Sequence, residues 1–111
     1  MIGLEQKYKA LGNKNRLRIV KLLEKKAMCV CELVEVIGIS QSTISKHLKI
    51  LVNAGLLSAV KDGQWTNYQL NKTDEYSKIL LQDLSGWLNS DKTISRDLKK
   101  ATKVNRYNIK N

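Results

Sequence analysis

Cys29 and Cys31 stand one residue apart in a chain of 111 residues that has no other cysteine and a single histidine, His47. Two thiols this close have two chemistries open to them. As thiolates they are soft ligands that select soft, thiophilic ions. Oxidised, they would close a tight disulfide ring whose strain makes it labile, which suits a redox sensor. Structural zinc takes four ligands, so two cysteines with no histidine nearby are too few for it. One cysteine alone in such a place is ordinarily a small buried hydrophobe; the pair carries the signal. Helix geometry adds a condition. Residues i and i+2 lie about 200° apart around a helix axis, so on a regular helix the two sulfurs face apart. The spacing therefore predicts that a shared ligand unwinds the first turn of a helix beginning near Cys29. The dipole at that N-terminus should also favour thiolate.

The elements that must position this pair are legible around it. Val30, Leu33, Val34 and Ile37 recur at i, i+3, i+4 and i+7, an apolar stripe along a first helix. Gly38 suits its left-handed end, and Ser40 can cap a second helix. That second helix buries Ile44, Leu48 and Leu51 and turns outward Gln41, Ser42, Ser45, Lys46 and Lys49, with no acidic residue among them. A short helix, a turn and a second helix with a polar, basic face form a helix-turn-helix, whose second helix enters the major groove of double-stranded DNA. Gln41, Ser42, Ser45 and Lys46 are placed for base edges or adjacent phosphates, Thr43 and Lys49 for the backbone, and His47 as a DNA contact or packing group. The segment Leu56–Leu70 follows, with Asp62-Gly63 between β-forming runs, a hairpin signal. A hairpin directly after the recognition helix is the wing of a winged helix-turn-helix, its tip bearing Lys61, Gln64 and Trp65. Trp65 serves either DNA or the base of the hairpin.

Upstream, residues 2–11 suit a short helix with Leu4, Tyr8 and Leu11 on one face. A second helix over about 15–26 follows, capped by Asn13 or Asn15. Lys14, Arg16, Arg18 and Lys21 line its outside, as a solvated face or as phosphate contacts. Downstream, residues 73–89 read as a helix capped by Thr73. Tyr76, Ile79, Leu80, Leu81, Leu84, Trp87 and Leu88 give it an apolar surface wider than one stripe, which calls for a second partner. The expectation is a dimerisation helix packed with residues 2–11, its interface formed by Leu4, Tyr8, Tyr76, Ile79, Leu80, Leu84, Trp87 and Leu88. Residues 90–111 are polar and basic, with Ile94, Leu98 and Ala101 able to support a further turn or two of helix and the last ten residues read as mobile.

The formal net charge of +10 favours a polyanionic partner. It is uneven: residues 1–70 carry 11 Lys and Arg against 5 Asp and Glu, residues 71–89 carry 2 against 3, and residues 90–111 carry 7 against 2. The expected organisation is a mainly α fold with a β-hairpin wing, with residues 1–89 as the DNA-binding and dimerisation domain and 90–111 as a basic tail. No apolar run is long enough to span a membrane, and no secretory leader opens the chain, so a cytoplasmic protein is expected. No nucleophile–base pair is visible, which argues against an enzyme. A constitutive architectural DNA binder would share the charge and fold but not the paired thiols.

Residues 9–70 resemble the ArsR/SmtB family of metal-responsive winged-helix repressors. KALGNKNRLRIVKLL is similar to the family's opening, CVCEL to its cysteine motif, SQSTISKHLKIL to its recognition helix and DGQWTNYQL to its wing. The resemblance implies a homodimer that sits on an operator and leaves it when an effector binds. The CVC motif resembles that of the arsenic-responsive members, which implies Cys29 and Cys31 as ligands of arsenite or antimonite and no permanent cofactor. Some of those members carry a third cysteine where this chain has Val34, so hydroxide, a small thiol or a distant side chain would complete the site. The family's zinc site on the dimerisation helix needs histidine, which residues 73–89 lack, and the N-terminal cysteines of its cadmium- and lead-responsive members are also absent.

Overall fold

Four helices start on a residue whose side chain accepts from the free N–H groups of the first turn. Asn13 caps α2 (Lys14–Leu23), Ser40 caps α4 (Gln41–Asn53), Asp74 caps α5 (Glu75–Ser85) and Asp91 caps α6 (Lys92–Ala101). The computed structural model describes residues 2–109. In it α1 spans Ile2–Leu11, and α3 (Val30–Ile37) ends at Gly38 with φ +80°, the left-handed stop expected there. α4 is followed by a two-stranded antiparallel hairpin, β1 (Leu57–Asp62) and β2 (Trp65–Leu70). Asp62 pairs with Trp65, and Gly63, at φ +62°, opens the two-residue turn between them. Met28 is tied to β2 by an isolated antiparallel bridge: its N–H donates to the Tyr68 carbonyl at 3.1 Å and its carbonyl accepts from the Tyr68 N–H at 2.8 Å.

The core lies where α2, α3 and α4 cross. Ile19, Val20 and Leu22 of α2, Leu33 of α3, and Ile44, Leu48 and Leu51 of α4 are almost fully buried together with Leu56. Each such side chain contributes about 1.5–3 kcal/mol on burial, so the helix-turn-helix is held rigidly against α2.

Three features differ from the sequence reading. Of the cations of α2, Lys14 stays exposed, but Arg16, Arg18 and Lys21 do not form a solvated face. Lys21 is buried and pairs with Glu24 at 2.9 Å while donating to the Leu84 carbonyl. Arg16 donates to the Ala10 carbonyl at 2.6 Å, and Arg18 binds both carboxylate oxygens of Asp97 at 2.8 and 2.9 Å. Second, α5 begins on Asp74 rather than Thr73 and stops at Ser85. Glycine at position 86 lowers helix propensity, the chain tightens through i→i−3 bonds at Gly86 and Trp87, and Leu88 turns to φ +66°. Trp87 and Leu88 therefore lie beyond the helix. Third, residues 90–111 are not a detached tail over their described length. α6 packs on α2 and α3, burying Ile94, Asp97 and Ala101, and a 3-10 turn over Arg106–Asn108 rests near the wing. Lys110 and Asn111, the end of the segment read as mobile, lie outside the described residues.

The Arg18–Asp97 pair is the polar lock of α6. Asp97→Ala leaves Arg18 charged and half-buried without its partner, and is expected to cost about 3 kcal/mol, read as a lower urea midpoint. A midpoint equal to that of the unaltered chain would mean that α6 does not contribute to the fold.

Candidate thiol site and nucleic-acid interface

Cys29 is the N-cap of α3, not a member of it: its backbone is extended, with φ −90° and ψ 171°. That conformation removes the geometric obstacle expected of an i, i+2 pair on a helix. The two sulfurs lie 2.9 Å apart, close enough for one atom to bridge them with no unwinding of α3. The extended residue is fixed from both sides. Met28 is bridged to Tyr68, and the Cys29 N–H donates to Glu32 Oε1 at 3.0 Å. The Glu32 N–H faces the Cys29 sulfur in return, a capping box built on cysteine. Both cysteines are free. Cys29 is only 2% exposed and Cys31 is half-buried.

Burial pushes the Cys29 thiol up to about 12, aided by its hydrogen bond with Cys31, while the Glu32 N–H pulls the other way. The dipole preference for thiolate expected at this helix start is outweighed at Cys29 by desolvation. Among the described residues, no group of three or more His, Cys, Asp or Glu side chains forms a set able to hold a metal ion. The thiols open on a cavity of about 720 Å³ lined also by Val30, Val34, Gln41, Gln64, Trp65 and Tyr68. The position of the third family cysteine, Val34, thus faces the same space. The cavity is bounded by the starts of α3 and α4 and by the wing, so residues expected to touch DNA and residues expected to hold an effector share one wall.

On α4, Gln41, Ser42, Ser45, Lys46 and Lys49 are exposed on one side and Thr43 is half-buried, accepting a hydrogen bond from Ser40 at 2.8 Å. His47 turns inward: Arg16 Nη1 donates to its Nδ1 at 3.2 Å. Burial, and after it the Arg16 charge, lower its basicity. At the wing tip Lys61 and Gln64 are exposed. Trp65 is half-buried between Arg106, whose guanidinium carbon lies 5.1 Å from the ring centre, and Tyr107, which meets it edge-on at 5.1 Å. Of the residues expected at a dimer interface, Tyr8, Tyr76, Ile79, Trp87 and Leu88 are exposed, Leu4 and Leu80 are half-buried, and Leu84 is buried in the protomer's own core. Sequence reasoning missed Glu32 and Arg106. Glu32 at the third position after a helix start is a readable capping signal; Arg106 had none, because its partners lie 39 and 74 residues away.

Residues 13–59 match the model of the bacterial regulatory protein arsR family. The arsenical resistance operon repressor of Bacillus subtilis (strain 168) is 41% identical over 81 residues, 72% of this chain and 76% of the relative. The chain belongs to the ArsR family. Solved structures of similar proteins agree with its fold. Reduced HlyU from Vibrio cholerae N16961 superposes with a TM-score of 0.68 at 29% identity, over 78% of this chain and 90% of that one. A homodimeric winged helix-turn-helix DNA-binding domain from Mycobacterium bovis gives 0.67 at 26% identity, over 76% of each chain. This ArsR-family chain is accordingly a winged helix-turn-helix transcriptional regulator, and the family's function is DNA binding rather than catalysis. Among the described residues no helix is long and apolar enough to cross a membrane.

The raised Cys29 thiol has a kinetic consequence. Thiolate is the species that alkylates, so at pH 8 iodoacetamide should label Cys31 well before Cys29, and the Cys29 rate should keep rising as the pH goes from about 9 towards 12. Equal rates at pH 8, followed by mass spectrometry of the peptides, would contradict the burial of Cys29.

Proposed function

We propose that this protein is a repressor that binds operator DNA as a homodimer and is released when trivalent arsenic or antimony binds Cys29 and Cys31. The observation that carries the reading is the pair of sulfurs 2.9 Å apart on a cavity shared with the recognition helix and the wing. The protonation state fits a metalloid better than a divalent cation. Arsenite is the neutral acid As(OH)₃. Its condensation with two thiols gives (Cys–S)₂As–OH and two waters, so two As–O and two S–H bonds are exchanged for two As–S and two O–H bonds with no net charge left in a buried site. Zinc would have to expel the proton of a thiol that burial holds on.

Gln41, Ser42, Ser45 and Lys46 face base edges or adjacent phosphates on this reading, with Thr43 and Lys49 on the backbone, His47 at the rear of the helix, and Lys61, Gln64 and Trp65 from the wing. Their support is the exposed, acid-free face of α4 and the basic balance of the chain. Dimerisation is supported by Tyr8, Tyr76, Ile79 and Trp87, each more than half exposed. The Lys7–Asp74 ion pair, 3.2 Å long, sets α1 beside the start of α5, and the Mycobacterium bovis relative is described as homodimeric. The close sulfurs also favour one alternative, a repressor of the same fold that senses oxidants through a Cys29–Cys31 disulfide.

Fluorescence anisotropy of the protein on a duplex from upstream of its own gene separates these readings. Under a phosphine reductant, arsenite should weaken binding by about 5- to 150-fold, zinc should not, and neither Cys29→Ser nor Cys31→Ser should respond. A response that survives both substitutions would defeat the thiol assignment, and release by diamide, added once the phosphine has been removed, but not by arsenite would establish the redox alternative.

A further inference from the structure

The turn after α6 makes contacts that neither DNA reading nor thiol chemistry requires. Arg106 is 12% exposed along its side chain, and its guanidinium sits at a junction. Nη2 donates to Glu32 Oε1 at 3.3 Å and to Asn67 Oδ1 of β2. Nη1 lies 3.7 Å from the Asp62 carboxylate at the wing tip, and the guanidinium plane covers Trp65. The Glu32 oxygen that receives Arg106 is the oxygen that receives the Cys29 N–H. One carboxylate oxygen thus joins the extended cap of the thiol site to an arginine, and that arginine joins three residues of the wing. Ile109, three residues further on, lines the thiol cavity itself.

We propose that Arg106 is the positioning residue that couples the thiol site to the wing. It does so by holding the Glu32 carboxylate against Cys29 on one side and Asn67, Asp62 and Trp65 on the other. The proposal rests on the reading that an effector binds Cys29 and Cys31. A ligand that draws the two sulfurs onto one atom shifts Cys29 against its cap. Glu32 follows its hydrogen bond, and the buried guanidinium, which cannot leave a carboxylate in a half-buried site without cost, carries the shift to β2. A second route exists in the Met28–Tyr68 backbone bridge. Replacing Arg106 leaves that bridge intact, so the two routes are separable.

The quantity to measure is the ratio of DNA dissociation constants with and without saturating arsenite, for the full chain under a phosphine reductant. Taking the ratio cancels any change in DNA affinity itself. Loss of free thiols to arsenite is followed in parallel with Ellman's reagent on protein freed of the phosphine by gel filtration. For Arg106→Ala the ratio should fall at least about fivefold while both thiols are still consumed. Arg106→Lys, which keeps the charge but not the planar fork, should recover part of it. If Arg106→Ala does not fold by circular dichroism, Asn67→Ala removes one of the three wing contacts and should lower the ratio in the same direction by a smaller factor. An unaltered ratio in the folded variant overturns the role of Arg106 alone and assigns the coupling to the backbone bridge. A ratio of one in the unaltered protein overturns the thiol reading, and the coupling with it.

Discussion

The extended backbone at Cys29 is the constraint on which the site depends. Had the helix begun one residue earlier, its geometry would have thrown the two thiols to opposite sides. Instead the Met28 bridge to Tyr68 and the Glu32 carboxylate hold residue 29 in a cap conformation, and the sulfurs meet at 2.9 Å. The same two restraints attach the pair to the wing and to α3. A pre-formed pair loses less ordering entropy when one atom bridges it than a pair that must first unwind a helical turn.

Charge is distributed to match. The cations of α2 that face inward, Arg16, Arg18 and Lys21, bind carbonyls, a histidine nitrogen and carboxylates. They fasten α1, α6 and the recognition helix to one central element. Exposed cations occur on most elements, and Lys46 and Lys49 on α4 and Lys61 on the wing are the ones carried by the proposed DNA-reading elements. A net charge of +10 therefore has two parts, one structural and one free to meet phosphates, and only the second contributes to salt-dependent affinity.

Local signals made most of this fold legible in the sequence. Period-3.6 apolar spacing located α3 and α4, Ser40 and Gly38 marked their boundary, and Asp62-Gly63 placed the hairpin turn. What escaped was non-local. α6 showed its apolar residues Ile94, Leu98 and Ala101, but its docking depends on Asp97 meeting Arg18 across 79 residues, and no periodicity reports such a pair. The cysteines were found by type and spacing, yet their geometry was misjudged, because whether a residue caps a helix or belongs to it shifts the side chain by a full dihedral well. The proton on Cys29 was misjudged for a similar reason: the dipole is local and readable, whereas the burial that outweighs it comes from the packed surroundings.

Arsenic K-edge X-ray absorption of the protein with one equivalent of arsenite, in a phosphine reductant and without small thiols, tests the central claim most directly. The account predicts arsenic bound to two sulfurs and one oxygen, the two sulfurs falling to one in Cys31→Ser. An all-oxygen shell, or a shell of three sulfurs drawn from more than one chain, would contradict it.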